Sequence, residues 1–197
     1  MNVFVLSTGR CGSTTFAEAC RHITNFTAAH ESNWGRVGPT RLQYPDNHIE
    51  VDNRLSWMLG ELDRRYGQDA FYVHLRRDPE RVAASFARRW GGESSIIRAF
   101  GKAVLAVPRP SLDICRAYVS CIDANIKLFL RDKPKQISIT LENVTDTFPM
   151  FWQHIGARGD LDSALETFAR PHNSSAKRSS GTRRLVRRAI QRVVRNR

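Results

Sequence analysis

Apolar positions along the chain fall into two alternating patterns. Short segments at Asn2 to Ser7, His48 to Asp52, Phe71 to Leu75 and Gln136 to Leu141 read as buried strands, and the first, Val3-Phe4-Val5-Leu6, is a continuous apolar run of the kind found inside a parallel sheet covered on both faces. Helical spacing fills the intervals. A helix beginning near Ser13 would bury Phe16 and Cys20, and after Asp52, an N-cap residue type, Leu55, Met58, Leu59, Leu62 and Tyr66 share one face before Gly67 closes the end. Asp78 can cap a further helix with Pro79 in its first position and Val82 and Phe86 inward. Leu112 to Leu130 carries the stripe Cys115, Tyr118, Val119, Ile122 and Ile126. This alternation predicts an α/β fold with a central, mainly parallel sheet between two helical layers, and ligands at the carboxyl ends of the strands. Trp57 is expected in the core, and Cys20, Cys115 and Cys121 as small hydrophobes within helices. Ser32 to Asn47 and Gly91 to Ser111, richer in Gly, Pro and polar residues, are expected to be loops over a substrate.

The 197 residues, 41% of them apolar, suffice for one domain with a substantial core. The net charge of +12 is unevenly placed: residues 170 to 197 hold ten Lys or Arg and no acid, leaving 21 basic against 19 acidic residues before them. A nucleic-acid partner is therefore not expected from the body. The Ser-rich stretch Ser174 to Ser180 reads as a hinge, dividing an α/β domain over 1–180 from a basic tail over 181–197. In that tail Leu185, Val186, Ala189, Ile190, Val193 and Val194 form the apolar stripe of an amphipathic helix, which can pack on the body, lie on an anionic membrane surface or bind a polyanion. No apolar run of about 18 residues is present to span a bilayer, and Val3 follows the start without a leader pattern. Cys11, Cys20, Cys115 and Cys121 are too scattered for a disulfide framework or a zinc site. A cytoplasmic protein, with a peripheral membrane contact through the tail, and no metal centre is the expectation.

The chemistry concentrates in Leu6-Ser7-Thr8-Gly9-Arg10-Cys11-Gly12-Ser13-Thr14-Thr15-Phe16, a glycine-bearing turn from a buried strand into a helix. Such a turn cradles an anion: the first helical N–H groups point outward, the helix dipole adds positive character, Ser13, Thr14 and Thr15 supply hydroxyls, and Arg10 a cationic fork. A kinase or GTPase loop would place Lys directly after its second Gly, whereas here Ser13 follows Gly12 and the cation lies two residues before it. Cys11, at a helix N-terminus beside Arg10, could be a reactive thiol of lowered pKa, but a contribution through its backbone N–H alone is the preferred reading.

Arg10-Cys11-Gly12-Ser13-Thr14 resembles the 5′-phosphosulfate loop of sulfotransferases, although Arg10 stands where many members have Lys. The family's second signature, an Arg ending a strand, x-Pro opening a helix and a Ser eight residues past the Arg, is similar to Arg77-Asp78-Pro79 with Ser85. Ser85 lies seven residues beyond Asp78, about two helical turns, and so faces the strand end. Thr140-Leu141-Glu142-Asn143-Val144 is a weaker echo of a later family strand end, and the family's late Arg-Lys-Gly contact has only Pro171-His172-Asn173 or Lys177-Arg178 as its nearest counterparts.

The resemblance implies a P-loop-like fold and a donor, 3′-phosphoadenosine 5′-phosphosulfate, held without a metal between Arg10 to Thr15 at the end of the first strand and Arg77 with Ser85 at the end of the third. Arg10 would stabilise charge on the departing phosphate oxygen. A base to take the acceptor proton is implied near the next strand end, where Glu31 is the first choice and His30 the alternate; Glu50 and Asp52 compete, Asp52 having a capping role as well. The acceptor is a hydroxyl or amine of a carbohydrate, a lipid headgroup or a small alcohol. Two rivals stand beside it: a P-loop nucleotide kinase, and a non-catalytic polyanion-binding protein driven by the tail.

Overall fold

Val3–Leu6 forms β1, and all four of its side chains are buried, as a strand covered on both faces requires. In the computed structural model, which describes residues 1–90, 95–107 and 109–169, the chain continues through α1 (Ser13–Cys20), β2 (Thr27–His30), β3 (His48–Val51), α2 (Leu59–Tyr66), β4 (Phe71–Arg76), α3 (Pro79–Ala87), α4 (Ile96–Ala99), α5 (Leu112–Leu130), β5 (Gln136–Thr140), α6 (Val144–His154) and α7 (Leu161–Ala169). The five strands pair in parallel in the order β2-β3-β1-β4-β5. Helices cover both faces, so the architecture is the expected α/β three-layer sandwich.

Each layer is sealed by aromatic residues. On one side Phe16 of α1 meets Phe148 and Phe151 of α6, with ring centroids 5.3 and 5.5 Å away, and Phe168 of α7 closes the cluster. On the other, Tyr118 of α5 is boxed by Phe86 of α3 and Phe100, at 5.1 and 5.3 Å. Val5 pairs with both Val51 and Val73, and Leu6 with His74. The loops after β1, β3 and β4 therefore leave the sheet side by side at its carboxyl edge, with the loop after β1 in the middle.

Several expectations need correction. The sheet has a fifth strand, β2, which the four strand-like segments do not include, so Arg77 follows the fourth strand in chain order and not the third. The helix after Asp52 is split: the five residues Asn53–Trp57 wind more tightly, at three residues per turn, capped by the Asp52 carboxylate accepting from the Arg54 N–H at 2.8 Å, and α2 starts only at Leu59. The tighter turn rotates Trp57 outward, leaving it 45% exposed and not in the core. Within Gly91 to Ser111 the chain is not loop throughout: α4 runs into a π-helical turn over Phe100–Val104, with Ile97 and Phe100 buried. Cys121 is exposed, unlike Cys20 and Cys115. Among the described residues no helix is long and apolar enough to cross a membrane. The Ser-rich hinge, the basic tail and the Pro171 to Arg178 candidates lie outside the described residues.

Candidate functional site

The loop between β1 and α1 turns through three left-handed residues, Gly9, Arg10 and Gly12, with φ of 84, 62 and 84°. For Arg10 this conformation is strained, and the surrounding bonds hold it there. Ser7 Oγ accepts from the Gly9 N–H at 3.2 Å, the Thr8 hydroxyl donates to the Gly9 carbonyl at 3.1 Å, and the Cys11 thiol donates to the same carbonyl at 3.3 Å. Gly12 is the N-cap of α1 and brings no side chain to its first amides, whose N–H groups stay directed out of the helix while Ser13, Thr14 and Thr15 remain partly exposed. The glycines have a second cause beyond ligand approach. A side chain on Gly12 would meet Leu141 at 2.8 Å, and one on Gly9 would meet Asn53 at 3.1 Å. The reactive reading of Cys11 is overturned: the side chain is buried, and desolvation pushes its thiol up to about 11 despite the opposing Thr8 hydrogen bond and Arg77 charge.

The two sequence motifs meet at this loop. Arg10 Nε donates to Ser85 Oγ at 3.0 Å across 75 residues of chain, and Ser85 is buried on the face of α3 that its spacing from Asp78 requires. Arg77 donates from its Nη1 to the Arg10 carbonyl at 3.4 Å, and its Nε is buried with no hydrogen-bond partner. Glu142, just past β5, stands 4.0 Å from Arg77 Nε and accepts from the Asp78 N–H at 3.3 Å. Asp78 also caps α3 by accepting from the Arg81 N–H at 2.8 Å. The carboxyl ends of β1, β4 and β5 thus converge on one set of cations.

At the other flank His30, the last residue of β2, hydrogen-bonds through Nε2 to Ser13 Oγ at 3.0 Å. Glu31, left-handed at φ 53°, instead pairs with Arg54 at 2.7 Å, and that guanidinium lies 5.2 Å from the centre of the exposed Trp34 ring. The competing carboxylates are structural. Glu50 is fully buried, accepting from the Ser32 N–H at 2.9 Å and lying 3.0 Å from His48 Nε2, while Asp52 is fully buried against Arg41. Both tie the 32–44 segment to the sheet. Arg54, Arg41 and Glu142 are functional or supporting residues that the motifs do not single out, although Glu142 stands inside the Thr140 to Val144 echo.

Beneath the loop a cavity of about 430 Å³ opens between β4, α3 and α5, reaching Thr8, Cys11, Arg77 and the buried His74, whose Nε2 lies 3.3 Å from the partly exposed Asp123 carboxylate. Burial holds the His74 imidazole well below its ordinary range, against the pull of the Asp123 carboxylate. Among the described residues no group of three or more His, Cys, Asp or Glu is arranged to hold a metal ion. Chemically the edge offers the outward N–H groups at the start of α1, the guanidiniums of Arg10 and Arg77 and the hydroxyls of Ser13, Thr14 and Thr15, with the His30 imidazole on the Ser13 hydroxyl, a set of donors of the kind that suits an anion. No known protein family, no curated protein and no solved structure matches the chain.

Proposed function

We propose that the chain is a sulfotransferase of P-loop-like fold that takes 3′-phosphoadenosine 5′-phosphosulfate as donor and sulfonates a hydroxyl or amine. The observation that carries this reading is the Arg10–Ser85 hydrogen bond, with Arg77 on the Arg10 carbonyl, because it unites the two phosphate motifs in one site. The residues present suit such a donor: an uncapped helix start and left-handed loop for one phosphate, and the partly unsatisfied Arg77 guanidinium with the Ser85 hydroxyl for a second. The donor supplies the activated sulfonate. Arg10 and the loop amides stabilise charge as it grows on the phosphate oxygen. His30, already on the Ser13 hydroxyl, is the base the geometry favours for the acceptor proton, while Glu31 holds Arg54 at the rim. The loop hydroxyls orient both partners, so proximity adds to the electrostatic effect.

Thermal unfolding with 3′,5′-adenosine bisphosphate, compared with ATP plus Mg²⁺, tests this directly. Stabilisation of about 2–3 kcal/mol is expected at roughly a hundredfold excess over Kd with the bisphosphate alone. Stabilisation only by ATP with magnesium would select the kinase, and neither response would leave the polyanion binder. Arg10→Ala should weaken bisphosphate binding about ten- to a hundredfold, the loss expected of a charge-assisted contact. Glu31→Gln should leave it within about twofold, since that carboxylate is engaged by Arg54.

A further inference from the structure

A second cavity, of about 630 Å³, lies away from the phosphate loop between the 36–42 segment and α2. Its size is that of a small-molecule site. One wall is apolar, formed by Val37, Leu42 and Met58. The rim carries Arg36, Arg64 and Arg65 against a single carboxylate, Glu61. Two of these cations have partners: Arg64 makes an exposed ion pair with Glu61, and Arg65 lies over the Tyr66 ring, whose centre is 5.6 Å away. The apolar wall is held in place. Tyr66 donates to the Leu42 carbonyl at 2.7 Å, and Arg41, at the cavity floor, is buried against Asp52. Val37 is 83% exposed, an uncovered apolar residue in a segment otherwise tied down by Asn33, which donates to the Gln43 carbonyl at 2.9 Å.

We propose that this cavity binds an amphiphilic anion, its phosphate-, sulfate- or carboxylate-type head on Arg36 and Arg65 and its apolar body on Val37, Leu42 and Met58. Neither half of the lining explains the other: a solvated charged face needs no apolar trough, and an apolar trough for a neutral ligand gains nothing from three guanidiniums. The site connects to the phosphate loop through bonded residues. Arg41 holds Asp52, Asp52 caps the turn bearing Arg54, Arg54 pairs with Glu31, and Glu31 follows the His30 that touches Ser13. The binding of such a ligand does not rest on the function proposed above.

The test uses the full chain and titration calorimetry with n-hexyl phosphate, n-hexanol and inorganic phosphate, and in parallel sedimentation with phosphatidic acid vesicles. Hexyl phosphate should bind at least about tenfold more tightly than either fragment, and Arg36→Gln/Arg65→Gln should cost at least about tenfold. Met58→Ser, at a partly buried position, should weaken hexyl phosphate and leave inorganic phosphate unchanged. Vesicle binding lost in the double Arg variant, with no binding of soluble hexyl phosphate, would assign the anion to a membrane lipid; the reverse would assign it to a free amphiphile. Equal affinity for hexyl and inorganic phosphate, or binding indifferent to Arg36 and Arg65, overturns the proposal. Retained hexyl phosphate binding in a protein that ignores 3′,5′-adenosine bisphosphate would sink the sulfotransferase reading and leave this site standing.

Discussion

Gly12 shows how a single position can serve the loop twice. Its φ of +84° is costly for any L side chain, and a Cβ there would stand 2.8 Å from Leu141. Gly12→Ala should therefore destabilise the fold by about 2 kcal/mol or more, and adding Leu141→Ala should recover only the steric share, as denaturant unfolding of the three variants would show. Buried charge outweighs surface charge in the same way. Asp52→Ala strands Arg41 in the interior and should cost about 3–5 kcal/mol, while Arg116, whose pairing with Glu80 is exposed, should tolerate alanine with little change in stability. His74 sets a pH dependence. It faces Asp123, Arg76 and Lys127, and its folded pKa lies below the unfolded one, so between about pH 6.5 and the lower folded value only the unfolded chain takes up the proton. Stability should fall as pH drops through that window, and His74→Asn should flatten that part of a Tm-versus-pH profile.

At the level of elements, what the chain announces locally is what it builds. β1 is a continuous apolar run, β4 a mostly apolar one broken by His74, and the start of α3 is written in Asp78-Pro79, a cap and a preset φ that need no distant partner. β2 is different: Thr27-Ala28-Ala29-His30 lies at the sheet edge, only partly buried, so its extended form comes from pairing with β3 and leaves no apolar signature. The 53–57 turn and the π-helical turn after α4 likewise answer to tertiary packing. Gly101 lies against the Trp90 ring, where an added Cβ would come within 2.8 Å. Gly101→Ala should cost about 1–3 kcal/mol and shift the tryptophan emission of the native state. The candidate site divides along the same line. Arg10, Gly12, Ser13, Arg77 and Ser85 stand in strings with fixed offsets, whereas Arg54, Arg41 and Glu142 take their places only through the strand order.

Over the whole molecule, that order is what makes one site from separate strings. With β1 between β3 and β4, the loop from Gly9 to Gly12 has the Asp52–Trp57 turn on one side and Arg77 on the other, and Ser85 comes to Arg10 because α3 runs back from the end of β4. Arg10 and Arg77 are brought together at this edge although residues 1 to 169 are close to neutral in sum. A second phosphate should therefore be recognised by position and not by general attraction. The most direct measurement is the affinity of 5′-adenosine monophosphate against 3′,5′-adenosine bisphosphate, in the native chain and in Ser85→Ala and Arg77→Ala. The account predicts that the 3′-phosphate adds at least about tenfold and that either substitution removes most of that gain while 5′-monophosphate binding changes little. Equal affinities for the two nucleotides, or a gain that survives both substitutions, would contradict it.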